Sequence, residues 1–394
     1  MAWKERTVEQ VREEFVKRVK AGEKSKAALC REYGISRPTG DKWIKRYEAG
    51  EDMRDRSKAP KSIPGRVSAE IEEAIVSKRK KCPALGAAKL HRIMENEGYT
   101  KLPCAKTFNN IFHRHGLITR EASLAATPCQ RFQKEEPNDM WQADYKGHFA
   151  LRNKTRCHPC NILDDCSRYN LCIEAMVSET FEELQPVMIR LFKEYGLPRT
   201  FLCDNGNPWG TAQSTGFSYF EVWLMELGIL TIHGRIRHPQ TQGKEERFNR
   251  SFTRECLQGR SFEDIEDAKQ AFSEYRHFYN HIRPHCALDM DVPASRYHVS
   301  QRKYPSKIED WEYGDEYSMH RVKSSGYITF RGQGYFLSEA FAGKTIAIRE
   351  SHVPGQITLA FRQFRIGRID PDKRVFTLKR AYLLEGDPRL ADNP

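Results

Sequence analysis

The sequence predicts a multidomain chain, helical at its amino-terminal end, α/β in the middle and antiparallel β at its end. Three observations carry this reading. Apolar residues recur at helical spacing up to about residue 116, short β-rich runs alternate with helical stretches from Asn138 to about residue 300, and alternating runs separated by Gly and Pro follow Trp311. A chain of 394 residues also exceeds one ordinary core and suggests roughly three domains.

Charge narrows the partners. The formal net charge of +12 favours a polyanion, and its distribution says more than its total. Residues 1–66 hold 18 Lys and Arg against 11 Asp and Glu, whereas residues 138–300 hold 19 against 22. Basic arms around an acidic middle suit phosphate-gripping domains flanking a core that concentrates carboxylates for a cation. No apolar run approaches the ~20 residues that span a membrane, and Met1-Ala-Trp-Lys-Glu-Arg lacks a signal peptide's apolar segment, so a cytoplasmic, soluble chain is expected. Eleven cysteines without framework spacing are expected as reduced thiols. The one tight pair, Cys157 and Cys160, falls short of zinc's four ligands even with His148 and Cys166 nearby, and is expected to form a hairpin turn.

The elements follow in order. Val8, Val11, Phe15 and Val19 share a helical face that ends at Gly22. Ser25 and Ser36 then cap two further helices around Gly34, with Ala28 small enough for a close crossing. This is a helix-turn-helix domain over residues 1–49, whose second helix would present Arg37, Thr39 and Lys42 to a DNA major groove. Residues 50–66 form a basic, Pro-containing linker. A second helix-turn-helix-like domain spans 67–120, with helices from Ser68, over Leu85–Glu97 and over Ala105–His115; it offers Lys101, Lys106 and Arg114 to phosphates. A polar connector covers 121–137.

From 138 to 300, strands are expected at Trp141–Ala150, Cys160–Leu163, Tyr169–Val177 and Thr200–Cys203. Helices are expected near Thr180–Tyr195, Phe217–Leu227 and Thr241–Leu257. Such an α/β layer puts Asp144 on the first strand, Asp204 at the carboxyl end of another, and Glu246 on a helix. Residues 301–394 hold six short alternating runs, from Tyr327 to Leu378, the pattern of a small antiparallel barrel.

Three carboxylates in three settings suit phosphodiester chemistry. Cleavage needs a deprotonated water or hydroxyl on one side of phosphorus and a stabilised leaving oxyanion on the other, and two Mg²⁺ ions do both. Magnesium prefers hard oxygen ligands and keeps several waters, so a few Asp and Glu side chains suffice. His238, Lys244, Arg247 and Arg250, on or near the Glu246 helix, would position the phosphate backbone.

Four blocks carry a resemblance: Trp141-Gln-Ala-Asp144, Ile162-Leu-Asp-Asp-Cys-Ser-Arg-Tyr169, Cys203-Asp-Asn-Gly-Asn-Pro-Trp-Gly210, and His238-Pro-Gln-Thr-Gln-Gly-Lys-Glu-Glu-Arg-Phe-Asn-Arg250. At these residues the chain resembles the DDE transposases of bacterial insertion sequences, in the retroviral-integrase superfamily. The resemblance implies a ribonuclease-H-like core, Mg²⁺ or Mn²⁺ dependence with two ions, and Asp144, Asp204 and Glu246 as both catalytic residues and metal ligands. Its Gly-Lys-x-Glu-Arg register selects Glu246 over Glu245. The 41 residues between Asp204 and Glu246 exceed the spacing of many relatives, and the surplus near Pro208–Phe220 reads as a surface insertion. Asp164 and Asp165 read as a strand-end turn that braces the core, and Trp209 is left open between core and DNA.

The resulting expectation is a bacterial, nucleoid-associated transposase acting as a homo-oligomer. It would bind the terminal inverted repeats of its own element and cut and join double-stranded DNA. Two alternatives stay open: a catalytically inactive, sequence-specific DNA-binding regulator, and a nuclease that cuts without joining.

Overall fold

The computed structural model describes residues 7–56, 67–118, 134–211, 216–234, 243–350, 357–370 and 375–383. The chain folds as two compact units, Met1–Val67 and Ser68–Pro394.

The first unit is a helical trio, α1 (Val8–Lys20), α2 (Lys26–Glu32) and α3 (Arg37–Glu48). Hydroxyl caps start each helix: Thr7 accepts from Gln10 N, Ser25 from Ala28 N and Ser36 from Thr39 N. Gly34, at φ +64°, turns the chain between α2 and α3. A close crossing falls at Gly40. A Cβ there would lie 2.8 Å from the Cys30 thiol and 3.1 Å from the Phe15 ring. Phe15, Val16, Leu29, Cys30 and Trp43 form the core, and Met53 joins it from beyond α3. Arg12 ties that segment down through Met53 O at 2.7 Å and the Asp55 carboxylate at 2.9 Å.

The second unit opens with another trio, α4 (Ala69–Lys81), α5 (Ala87–Asn96) and α6 (Ala105–Arg114), closed over Ile75, Leu90, Met94, Phe108 and Phe112. A mixed α/β core follows: β1 (Met140–Tyr145), β2 (Phe149–Ala150), β3 (Arg156–Asp164), β4 (Asn170–Met176), α7 (Phe181–Tyr195), β5 (Thr200–Cys203), α8 (Tyr219–Glu226), β6 (Leu230–His233), α9 (Gly243–Phe252) and α10 (Ile265–His281). Strands β4, β3 and β1 run antiparallel to their neighbours, β5 and β6 continue parallel to β1, and β2 extends the far end of β3. Alternation along the strands gives the sheet two apolar faces. Trp141, Ala143, Cys160 and Ile162 pack against α7 and α8, while Cys157, Leu163 and Ile173 pack against α9 and α10. This is the helical region and ribonuclease-H-like core that the sequence predicts.

Beyond the core lie β7 (Ser318–Arg321), β8 (Tyr327–Phe330), β9 (Gln333–Phe336), β10 (Thr345–Glu350), β11 (Ile357–Phe361), β12 (Phe364–Asp370) and β13 (Val375–Leu383). They form a five-stranded antiparallel sheet in the order β13-β12-β11-β10-β7 and a separate β8–β9 hairpin. Among the described residues no ladder joins β13 to β7, so the expected barrel is instead an open sheet. Its apolar face closes on Phe217, Val222 and Met225 around α8, which makes α8 a helix shared by two cores.

Two further expectations are corrected. Cys157 and Cys160 lie within β3, not in a turn; three residues apart, they point to opposite faces of the sheet and cannot share an ion. The stretch after Pro208 is no surface insertion where it is described, because Trp209, Phe217 and Phe220 are buried.

The carboxyl end of the core is braced by one ion pair. Arg283 donates from Nε and Nη2 to the two carboxylate oxygens of Glu255, at 2.7 and 2.8 Å, and both side chains are under 10% exposed. Arg283→Met leaves the buried Glu255 carboxylate without its countercharge, with the Tyr275 hydroxyl at 3.2 Å still donating to it, and is expected to lower the unfolding free energy by about 3–5 kcal/mol in urea denaturation. Adding Glu255→Leu is expected to recover much of that loss.

Candidate functional site

Two of the predicted carboxylates meet because their strands do. β1 and β5 are parallel neighbours in the register Met140↔Thr200 to Gln142↔Leu202, which carries Asp144 and Asp204 side by side past the paired residues. Both are half-buried. The Asp144 carboxyl is pushed up to about 6, first by burial and then by the charge of Asp204; a hydrogen bond from Asn249 works the other way.

Asn249 fixes the helix to the site. Its Nδ2 donates to Asp144 Oδ2 at 2.8 Å while its Oδ1 accepts from Asn161 Nδ2 at 2.6 Å. A residue advances about 100° around a helix, so Glu245 and Glu246 straddle Asn249 by roughly 40° and 60°. Glu245 falls on the core side, 1% exposed, with neither carboxylate oxygen in a hydrogen bond. Burial, and then Asp144 and Asp165, push its carboxyl well above the usual range. Glu246 falls on the solvent side and is exposed. Of the two, Glu245 is the one that feels the charge of Asp144, while Glu246 faces solvent.

The start of α9 is anchored from below. Asp165, itself buried, accepts from Lys244 Nζ, from Gln142 Nε2 and from Lys134 N, while Asp164 accepts from Asn138 N, Ser167 N and Ser167 Oγ. Lys244 therefore pairs inside the fold instead of facing a phosphate, which corrects its expected role. Its ammonium is lowered to about 8, chiefly by burial, with Asp165 opposing. Arg247 and Arg250 are exposed on the same helix; His238 lies outside the described residues.

Asp204 is held from the opposite side. Gly206 N donates to Asp204 Oδ1 at 3.0 Å and Asn205 Nδ2 donates to Gly234 O at 3.1 Å. His233 at the end of β6 places Nδ1 2.6 Å from the Asp204 carbonyl oxygen and Nε2 2.8 Å from Glu221 Oε1. Sequence reading missed Asn249, Glu221 and His233. The one available signal is a lone acid inside the apolar run Tyr219-Phe-Glu-Val-Trp-Leu-Met225, which must find a buried partner.

In the helical domains the predicted contacts differ in freedom. Arg37 is exposed, and Lys42 is exposed with its ammonium 4.8 Å from the Trp43 ring. The Thr39 hydroxyl is 2.8 Å from that of Ser36. Lys101 and Lys106 are exposed, whereas Arg114 pairs with Glu72 at 2.6 Å.

Two adjacent carboxylates with an all-oxygen donor set suit a hard divalent cation, which would relieve the repulsion that raises Asp144. Among the described residues no group of three His, Cys, Asp or Glu is gathered closely enough to hold a metal, and no helix is long and apolar enough to cross a membrane. In metal-free protein, folded Asp144 keeps its proton up to about pH 6, whereas the unfolded chain releases it near 3.8. Stability is therefore expected to fall as pH rises from about 4 to 6, with Asp144 contributing about 3 kcal/mol of the loss. Urea unfolding in EDTA across that range checks this, and Asp144→Asn should flatten the slope.

The comparisons agree with this architecture. Integrase core domain families match residues 134–239 and 227–293, a helix-turn-helix domain matches 11–61, and the C-terminal domain of the IS481 transposase family matches 318–376. An uncharacterized 39.2 kDa protein of insertion element IS476 from Xanthomonas euvesicatoria is 27% identical over 199 residues, which is 48% of this chain and 54% of that protein. A protein provisionally named as the transposase for insertion sequence element IS5376 of Geobacillus stearothermophilus is 25% identical over 205 residues, 51% of this chain and 50% of that one. The chain thus spans about half the length of these two curated relatives. Among solved structures, the HTLV-2 integrase catalytic core in complex with magnesium is 16% identical, with a TM-score of 0.32, covering 42% of this chain and 100% of that one. The chain thus carries matches to a helix-turn-helix domain, an integrase core and an IS481-type transposase carboxyl-terminal domain, in that order, and is similar over about half its length to proteins of bacterial insertion elements.

Proposed function

We propose that the protein is a DNA transposase that recognises the terminal inverted repeats of its own element and catalyses strand cleavage and strand transfer, with Asp144, Asp204 and Glu246 as catalytic residues and metal ligands. The observation that carries this reading is the pairing of Asp144 with Asp204 beneath a helix that turns Glu246 to solvent and Asn249 to Asp144. These carboxylates would hold Mg²⁺, or Mn²⁺ in its place, as two ions that activate the attacking oxygen and stabilise the leaving one. Asn249 holds Asp144 in place, Gly206 N holds the Asp204 carboxylate, and the buried Asp165–Lys244 pair fixes the start of α9.

DNA is held elsewhere on the chain. Arg37, Thr39 and Lys42 on α3 read the element's ends, and exposed Lys101, Lys106, Arg247 and Arg250 meet phosphates along the duplex. His238 joins them. Because two ends must be processed together, the working form is a homo-oligomer, acting in the bacterial cytoplasm on the nucleoid.

A strand-transfer assay with the flanking DNA of the gene as donor and Mg²⁺ present tests the reading. Joints are expected with wild type and Glu245→Gln and are expected to vanish with Asp204→Asn and Glu246→Gln. Specific end binding by the wild type without cutting, in Mg²⁺ or Mn²⁺, would identify a regulator, and cut ends without joints a nuclease. Arg37→Ala and Lys42→Ala are expected to weaken end binding while leaving cleavage by preassembled complexes largely intact, with the salt dependence of binding losing about one phosphate contact where a residue meets the backbone.

A further inference from the structure

Helix α8 has almost no free face. Phe220, Trp223 and Leu224 enter the core beneath the α/β sheet, while Val222 and Met225 enter the core of the carboxyl-terminal sheet. Ser338 Oγ adds a hydrogen bond to Phe217 O at 2.7 Å, and Lys344 pairs with Glu226. Within this clamped helix Glu221 is buried and its two oxygens have separate tasks. Oε2 accepts from Ser218 N at 2.7 Å, completing the capping box, and Oε1 faces His233 Nε2 at 2.8 Å. The imidazole spans from there to the carbonyl oxygen of Asp204. The ring lies against Gly210, where an added Cβ would stand 3.0 Å from His233 Cε1, so any side chain there would crowd the imidazole.

We propose that Glu221 and His233 are positioning residues, which fix the backbone carbonyl of Asp204 and thereby set the direction of its carboxylate in the metal site. The inference rests on the reading of Asp204 as a metal ligand. Both side chains act through protein atoms, Glu221 on Ser218 N and His233, and the imidazole on the Asp204 carbonyl. Their role parallels that of outer groups that orient metal ligands, except that here the fixed atom belongs to the main chain. Docking of the carboxyl-terminal sheet on α8 then becomes part of how the site is held.

Mn²⁺ binding to the full chain, followed by the electron paramagnetic resonance signal of free Mn²⁺, tests this directly. Glu221→Ala and His233→Gln are expected to weaken Mn²⁺ binding roughly tenfold or more, with a matching rise in the Mn²⁺ needed for donor-end cleavage. Glu221→Gln keeps an oxygen acceptor for the ring and is expected to restore binding to within about threefold of wild type, a rescue that loss of packing alone would not show. End-DNA binding should be unchanged in all three. Unaltered Mn²⁺ binding in a Glu221→Ala protein that melts as a folded chain would overturn the proposal, and so would the same result with His233→Gln should the alanine variant fail to fold. Asp204→Asn separates the two levels: if it leaves Mn²⁺ binding intact, the reading of the site fails, whereas loss there with no effect at Glu221 and His233 sinks only the positioning role.

Discussion

The half-buried pairing of Asp144 with Asp204 is the constraint around which the polar architecture of the second unit is arranged, with burial the larger cost and their mutual repulsion the smaller. Parallel strands bring the two carboxylates together, and partial burial strengthens the field between them. A pair of this kind would relax apart if its backbone were loose, so the surroundings must hold it. Asn249 restrains one member by a side chain, and Gly206 and His233 restrain the other through its carboxylate and its main chain. Like charges kept close without a cation are an unfavourable ground state that binding of one would relieve.

The brace around this pair is built from buried polar groups reaching across long stretches of sequence. Asp165 gathers Lys244, Gln142 and Lys134, and Glu255 takes Arg283, Ser251 lying alongside through its contact with the same guanidinium. Each pair is fully hydrogen-bonded, which is the condition under which buried charge is tolerated. Glu245 departs from this, with both of its carboxylate oxygens unpaired where Gln142 and Asn161 each leave one. Burial pushes its carboxyl well above the usual range.

Much of the fold is legible in the sequence, and the reasons are local. β5 is expected at Thr200–Cys203 and is found there, and the six amino-terminal helices start at hydroxyl, glycine or cysteine caps beside clear apolar periodicity. Asp144 and Asp204 stand out because short, distinctive text surrounds them. What escapes is long-range. The apolar pattern cuts β3 short because His158 and Pro159 interrupt it, yet both lie in the interior of the sheet. Lys244 looks like a surface cation because its partner lies 79 residues away, and His233 is silent because its meaning depends on α8 and β5 together. Alternating runs establish strands after Trp311 but not whether first and last strands meet, which only the pairing pattern decides.

The double burial of α8 sets a limit on how this chain divides. The core and the carboxyl-terminal sheet differ in architecture and are matched by separate domain families, which invites separating them near residue 310. Such a cut would lay bare Phe217, Val222 and Met225 as one greasy strip beside the loop that carries Asp204. The shortened protein is expected to clump or to borrow a neighbour's sheet, so the two modules fold as one piece although separate families match them.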